Sequence, residues 1–159
     1  MFEVQELEPR IILGLKVSFI SASHEGSNAH LVIGPLWQEM SKLFFSLKPE
    51  SSIYPNGVGA MWPDESGTPG SMYYFAGYEV SDVPEDLGGL EVLHLEGGKY
   101  AFVTHLGPMS DLSNSVIDFY TRVLPESNLP RRAGIDLELY REEESDGDIS
   151  KVIIAAPVQ

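Results

Sequence analysis

The residues with the clearest chemical potential lie in one short run near the end of the chain, residues 134–140. Within it the carboxylate of Glu138 stands between two leucines. If the run is a β-strand, alternation places Asp136, Glu138 and Tyr140 on one face. A cavity on that face would hold a fixed negative charge beside an aromatic ring, which suits a cationic, partly apolar ligand. A face in water would make the same carboxylates ordinary surface charges.

The surroundings of Glu138 decide its role. In the structural alternative it pairs with a nearby arginine, Arg131 or Arg132, because ion pairs of this kind are common in folded proteins. In the functional alternative it is buried without a basic partner. An isolated buried carboxylate is costly and tends to protonate, so such a pocket favours a cation or a hydrogen-bond donor as its ligand. Asp136 is expected at the exposed beginning of the strand.

Length and composition predict one domain over residues 1–159. The 159 residues are 43% hydrophobic, which is enough to build a core, and none of them is a cysteine. Disulfides and thiolate metal sites are therefore excluded. The first ten residues lack the basic and then apolar pattern of a signal peptide, and no run approaches the roughly 18 apolar residues of a membrane span. These features predict a soluble, cytoplasmic protein.

The charge is strongly acidic, with ten basic residues against 24 acidic ones and a formal net charge of -14. Such a surface repels phosphate backbones and anionic lipid, so we predict neither direct nucleic-acid binding nor membrane binding. It would attract a cationic small molecule or a basic protein partner. The simpler interpretation is that the charge keeps the protein in solution.

Familiar catalytic and cofactor patterns are missing. The chain has no G-x-S-x-G elbow, no phosphate-binding loop and no dinucleotide fingerprint, so we predict no cofactor and no catalytic residue. Its four histidines show no paired ligand spacing, and we predict no metal site. They are His24, His30, His94 and His105.

Periodicity predicts two helices among several strands. The first helix is predicted over 35–47, with a possible upstream extension kinked at Gly34 and Pro35. The second is predicted from a cap at Ser110 to Leu124, where Pro125 should stop it. Strands are predicted at 2–19 (one strand, or two joined at Pro9), 57–62, 72–80, 90–95, 99–106, 135–141 and 151–158.

The order of strands, helix and hairpin occurs twice, which predicts internal repeats of approximately 1–80 and 90–159. Four residues recur at a constant offset of 88 positions: Glu3, Val4, Leu7 and Glu8 as Glu91, Val92, Leu95 and Glu96. Residues 57–62 correspond to 134–139 at an offset of 77. In that register the uncharged Met61 is the counterpart of Glu138, so the cleft between the halves would carry its charge on one side.

Three segments resemble a known family. They are Gly-Lys-Tyr-Ala-Phe-Val-Thr-His-Leu-Gly-Pro at 98–108, Val-Leu-Pro-Glu-Ser at 123–127 and Leu-Glu-Leu-Tyr at 137–140. In this order and spacing they are similar to the GyrI-like family. That family contains the effector-binding domains of AraC-type and MerR-type multidrug regulators and the stand-alone gyrase-inhibitory proteins. The resemblance covers nearly the whole chain.

The resemblance implies an α+β fold of duplicated strand-helix-strand-strand modules, with an antiparallel sheet and a pseudo-two-fold ligand cleft. It implies cation recognition by Glu138, with aromatic contributions from Tyr140, Tyr74 and Trp37. Tyr100 is a further candidate for an aromatic-lined slot, although the face of its strand that meets the cleft is undetermined. For Phe119, core packing is the favoured interpretation.

The predicted function is a stand-alone small-molecule-binding protein for lipophilic, cationic or aromatic ligands, acting in sensing or sequestration without catalysis. No helix-turn-helix pattern flanks the domain, so it is not expected to regulate transcription by itself. Two alternatives stay open. One is a hydrolase of reactive small molecules with Glu138 as general base. The other is a gyrase-inhibitor-like module that binds a basic protein partner through its acidic surface.

Overall fold

A computed structural model describes residues 2–21 and 24–159, except for the side chain of Glu143. Within these residues eight strands form one sheet: β1 Phe2–Leu7, β2 Arg10–Ile20, β3 Ser52–Pro63, β4 Ser71–Val80, β5 Glu91–Leu95, β6 Gly98–Gly107, β7 Asp136–Tyr140 and β8 Ser150–Pro157. Every pairing is antiparallel, and the strand order is β1-β6-β8-β7-β3-β4-β2-β5.

The helices lie between the first two strands of each half and its hairpin. They are α1 Ala29–Leu47, α2 Leu112–Asp118 and the short α3 Leu124–Glu126. A 3-10 turn, Met109–Asp111, leads into α2, and a π-helical segment, Phe119–Val123, joins α2 to α3. A further 3-10 turn, Glu142–Glu144, lies between β7 and β8.

Two modules meet at the centre of the sheet. The first is β2-α1-β3-β4 and the second is β6-α2-β7-β8, and they join through the pairing of β3 with β7, in which Gly59 lies opposite Glu138. Each edge strand is exchanged between the modules, since β1 pairs with β6 and β5 pairs with β2. Each edge strand contains three of the four residues that recur at the offset of 88, and the fourth, Glu8 or Glu96, follows it directly. The predicted α+β fold of duplicated modules is confirmed.

The central strands of the sheet are buried on both faces, which explains why they are so apolar, whereas the edge strand β1 is largely exposed. On one face, α1 and α2 contribute buried residues to the core beside the strands. The other face carries no helix in the described residues, yet a second core buries it: Ile12, Val58, Ala60, Phe75, Leu95, Tyr100, Phe102, Leu137, Leu139 and Ala155. Because strand twist accumulates across a sheet, the simplest cover for this face is the curled sheet itself.

The helix α1 begins six residues before the predicted start at residue 35. It starts at Ala29 and contains Pro35 in its interior, as one uninterrupted helix. The residue before a proline is normally pushed out of helical geometry because its Cβ crowds the proline ring. Gly34 has no Cβ, and this lets the backbone continue. At the other end Lys48 adopts a left-handed conformation, and its N–H bonds the Phe44 carbonyl at 3.0 Å.

The prediction that Pro125 stops the second helix is wrong. The helical path continues to Glu126 because a wider turn precedes the proline, and the N–H of Leu124 reaches back five residues to the carbonyl of Phe119. Pro125 then falls in the first turn of α3, where a missing N–H is tolerated. The strand β3 also begins before the predicted residue 57, across a register shift between Ser52 and Gly57.

Candidate functional site

A cavity of about 840 Å³ lies on the helical side of the sheet, where the two modules meet. It is lined by α1, by the second helical segment and by strands of both modules. Its apolar wall includes Phe19, Ile33, Met61, Met72, Met109, Leu112, Val116 and Ile117. Its aromatic and charged residues include Trp37, Tyr78, Tyr120, Tyr140, Arg131, Asp136, Glu138, Arg141, Glu142 and Lys151.

Glu138 is buried on the wall of this cavity, with 8% of its surface exposed. Two tyrosine hydroxyls donate hydrogen bonds to its Oε1, that of Tyr74 at 2.9 Å and that of Tyr140 at 3.0 Å. Within the described residues, no basic side chain forms a salt bridge with it and no hydrogen bond reaches its Oε2. Burial raises the pKa of Glu138, and the two hydroxyls oppose that shift because they stabilise the ionised form.

The strand β7 positions Glu138 by simple alternation. Its neighbours Leu137 and Leu139 point to the opposite face, where both are buried in the helix-free core. A shift of one residue in register would put these leucines in the cavity and the carboxylate in an apolar core. The hydrophobic effect on one face therefore fixes the charge on the other.

Glycine at position 59 makes room for the hydrogen bonds of Glu138. A Cβ atom there would lie 2.3 Å from the Tyr74 hydroxyl oxygen and 3.1 Å from Glu138 Oε1. The Tyr74 side chain is completely buried and cannot swing aside. Gly59 is therefore required by the close approach of this hydroxyl to the strand below it.

We expect Gly59→Ala to lower the free energy of unfolding by about 1–3 kcal/mol, the usual range for overpacking a core. Urea denaturation measures the change. In a Tyr74→Phe background the oxygen at 2.3 Å is removed and the ring Cζ at 2.8 Å remains, so the destabilisation should be smaller but not abolished. Equal destabilisation in both backgrounds would contradict the assigned contact.

An aromatic wall continues from the carboxylate along α1. The indole N–H of Trp37 donates to the Tyr74 hydroxyl at 3.1 Å, and that hydroxyl donates onward to Glu138. The Trp37 ring packs edge-to-face on Tyr140, with centroids 5.1 Å apart. Burial raises the pKa of both Tyr74 and Tyr140 well above the usual value, so they stay protonated as donors. The chain of donors thus points from the indole toward the carboxylate.

Three of the residues proposed from the sequence therefore meet at one place with Glu138: Trp37, Tyr74 and Tyr140. Glu138, Trp37 and Tyr140 line the cavity, whereas Tyr74 supports them from behind. Arg131 and Arg132, considered as structural partners of Glu138, bond elsewhere: Arg131 reaches Asp136, and Arg132 reaches the backbone carbonyls of Lys99 and Val158.

Tyr100 does not join this group. Its strand register places it on the helix-free face, in the core that also contains Leu137. Its hydroxyl donates to the Ile135 carbonyl at 2.8 Å, and the Arg132 guanidinium lies over its ring. The register of β6 decides which alternate residues face the helices, and the sequence did not reveal it; none of its residues is among those that line the cavity. Phe119 is fully buried in the core beneath the second helix.

Asp136 and Tyr120 are two cavity residues that the sequence prediction left out. The Asp136 side chain was expected in water, but only 16% of it is exposed, and Arg131 Nη2 donates to its Oδ1 at 2.9 Å. Burial raises its pKa, although Arg131 acts in the opposite direction. The Tyr120 hydroxyl oxygen is buried without a hydrogen-bond partner among the described residues. Alternation already placed Asp136 on the face of Glu138, and this was the available signal.

The part of the chain that the structure describes contains neither a metal-binding cluster nor a membrane-spanning helix. In residues 2–21 and 24–159, no group of three histidine or acidic residues is arranged to hold a metal ion. No helix in the same residues is long and apolar enough to cross a membrane.

The fold and its cavity are those of a small-molecule-binding domain built from two related modules. The chain belongs to the GyrI-like small molecule binding domain family, whose model matches residues 1–156. Transcriptional regulator BrlR of Pseudomonas aeruginosa is 28% identical over 146 residues, which make up 87% of this chain and 50% of that protein. The chain thus spans about half the length of this curated relative.

Solved structures share the fold at low sequence identity. SAV2435 bound to tetraphenylphosphonium superimposes with a TM-score of 0.76 at 16% identity, covering 100% of this chain and 94% of that one. The EcmrR C-terminal domain gives a TM-score of 0.65 at 19% identity, covering 100% of this chain and 97% of that one. The chain is therefore homologous to effector-binding domains of transcription regulators.

Proposed function

We propose that this chain binds lipophilic organic cations with aromatic groups in its cavity and acts as an effector-binding protein, in ligand sensing or sequestration. The observation that carries this proposal is the state of Glu138. It is a buried carboxylate on a cavity wall, and its neighbours among the described residues are neutral donors instead of bases.

The electrostatics favour a cation as the occupant. A buried ionised carboxylate loses most of its hydration, and two hydroxyl hydrogen bonds replace only part of it. Both hydroxyls use the same oxygen, so Oε2 of Glu138 remains available on the cavity side. A ligand cation placed there gains charge attraction in a region where water screens little. Part of the binding free energy therefore comes from giving a partner to a carboxylate charge that lacks one in the free protein.

The apolar wall favours a lipophilic and aromatic ligand. Trp37 and Tyr140 offer ring edges and faces beside the carboxylate, and stacking on such rings adds cation-π attraction of about 0.5–2 kcal/mol each. Three methionines, Met61, Met72 and Met109, line the same space. Their unbranched side chains repack around ligands of different shape, which suits a binding site for many compounds.

The position of the cavity suits a sensor. Residues of α1 and of the second helical segment both line it, so one ligand would contact helices from both modules. A ligand that prefers one spacing of these helices shifts the protein toward that spacing. SAV2435 binds tetraphenylphosphonium, and this compound is our probe for the present chain.

The test compares two ions of the same shape and opposite charge, tetraphenylphosphonium and tetraphenylborate. We expect the phosphonium to raise the melting temperature, corresponding to about 2.7 kcal/mol at a ligand concentration one hundred times the Kd. The borate should give no stabilisation, because Glu138 repels it. Equal stabilisation by both ions would mean that the cavity does not select charge, and no response to either would contradict ligand binding of this kind.

Tryptophan fluorescence locates the bound ion. Trp37 lines the cavity, whereas Trp62, the second tryptophan of the chain, packs against the helix-free core and lies near Tyr73. In Trp62→Phe the phosphonium should quench the remaining emission. In the matched variant Trp37→Phe the emission should not respond. The reverse pattern would place the ion outside the cavity.

A further inference from the structure

A second polar group lies on the cavity wall two residues before Glu138. Asp136 shares its face of β7, and alternate residues of a strand are about 7 Å apart along the chain. Arg131 bonds Asp136 through Oδ1 alone, and within the described part of the chain no hydrogen bond reaches Oδ2. Asp136 therefore has one occupied oxygen and one available oxygen, as Glu138 does.

Tyr120 supplies an independent sign of an incomplete site. It lines the same cavity from the π-helical segment, and its hydroxyl oxygen is buried without a hydrogen-bond partner among the described residues. Burial raises the Tyr120 pKa, and the neighbouring Asp136 adds to this shift through its charge and through a hydrogen-bond contact that falls outside normal geometry. Buried hydroxyls without partners are rare because they are costly.

The charges on this wall do not balance. Asp136 and Glu138 are two carboxylates at adjacent positions of one face, and Arg131 pairs with Asp136 alone. Among the described residues, the other cavity cations, Arg141 and Lys151, form no salt bridge with either carboxylate, and Lys151 pairs with Glu144 instead. The Arg131 side chain is 46% exposed, so solvent reduces its effect inside the cavity. A ligand with one positive charge at Glu138 would leave both Asp136 Oδ2 and the Tyr120 hydroxyl unused.

We propose that the cavity has two recognition points and prefers ligands with two N–H-bearing cationic groups, held about 7 Å apart by a rigid apolar spacer. One nitrogen binds Glu138 Oε2. The other donates to Asp136 Oδ2 and to the Tyr120 hydroxyl oxygen, so a quaternary centre cannot replace it. This inference rests on the proposed function and narrows its ligand class to aromatic diamines.

The experiment uses two ligands that share one ring. In p-xylylenediamine an aromatic ring carries two aminomethyl groups, and in 4-methylbenzylamine one of these is replaced by a methyl group. Each displaces tetraphenylphosphonium from the full chain, followed by Trp37 fluorescence. Two equivalent amines alone give a twofold statistical advantage, so we expect the diamine to bind at least about tenfold more tightly than the monoamine.

Variants test whether Asp136 and Tyr120 cause the preference for the diamine over the monoamine. In Asp136→Asn the ratio of the two affinities should fall to about two, and Tyr120→Phe should lower it part of the way. Arg131→Gln should raise the ratio, because it leaves Asp136 without its protein cation. These opposite directions separate the proposal from general loss of structure. If Asp136→Asn does not fold, the other two variants still decide the question.

Failure of the second recognition point and failure of the proposed function would give different results. A ratio near two in the wild-type protein, with normal phosphonium binding, would overturn the second recognition point and leave the binding of single cations intact. A ratio that Asp136→Asn preserves would also overturn it. Failure of tetraphenylphosphonium to bind at all would instead contradict the proposed function, on which this inference depends.

Discussion

Glu138→Gln should weaken tetraphenylphosphonium binding by about 10- to 100-fold, which corresponds to about 1.4–2.7 kcal/mol. The substitution removes the charge and little else. The glutamine carbonyl oxygen can accept the hydroxyl hydrogen bonds of Tyr74 and Tyr140, which now converge on one oxygen of the carboxylate. The shape of the wall is kept, so the loss reports the electrostatic contribution. Isothermal titration calorimetry measures it.

The same substitution should stabilise the free protein at neutral pH by about 1–2 kcal/mol, because a neutral amide loses less hydration on burial than a carboxylate. Functional sites often carry such a cost to stability. Urea denaturation without ligand measures the change. A less stable Glu138→Gln protein would contradict this account, since it would mean that the ionised carboxylate stabilises the fold.

A matched control separates the local charge from the general acidity of the chain. Glu39→Gln removes the same charge from an exposed position of α1 that does not line the cavity. At physiological salt its effect on phosphonium binding should be less than about twofold, because water and salt screen an exposed charge, with a Debye length of about 8 Å. Equal losses in both variants would assign cation binding to the net charge of -14.

The sequence was most informative where one local rule was sufficient. Strict alternation over residues 134–140 predicted the face of Glu138, and the burial of Leu137 and Leu139 explains why that prediction holds. The recurrence of four residues at an offset of 88 predicted two related segments, and these proved to lie at the two edge strands β1 and β5. Helical spacing located most of α1 and of the second helix for the same reason, but the predicted cap is wrong, since Ser110 lies inside the 3-10 turn and Asp111 precedes α2.

Predictions were less successful where distant parts of the chain decide the outcome. Tyr100 faces the helix-free core because of the pairing of β6 with β8, which local pattern does not specify. Asp136 is buried because Arg131 and Tyr120 approach it from other segments. The π-helical segment that presents Tyr120 depends on a hydrogen bond spanning five residues, and no residue type marks it reliably.

The pH dependence of stability has a definite sign for this site. The pKa of Glu138 is raised above its usual 4.5 in the folded protein, so the folded state retains the proton longer than the unfolded chain does. Its contribution to stability is complete below about 4.5 and is lost as the pH rises through the folded pKa. The raised pKa of Asp136 acts in the same direction. The difference in unfolding free energy between wild type and Glu138→Gln isolates the first contribution.

Binding of tetraphenylphosphonium should show the opposite pH dependence, becoming tighter as the pH rises until Glu138 is fully ionised. The ion has a permanent charge, so the change reports the protein alone. Below the pKa of Glu138 a bound cation must displace one proton, and the affinity should fall by up to about tenfold per pH unit. The raised pKa values of Tyr74 and Tyr140 keep both hydroxyls as donors throughout this range. Calorimetry between pH 4 and 8 measures the slope, and Glu138→Gln should flatten it. A wild-type affinity that does not vary with pH would show that the cation binds without the charge of Glu138.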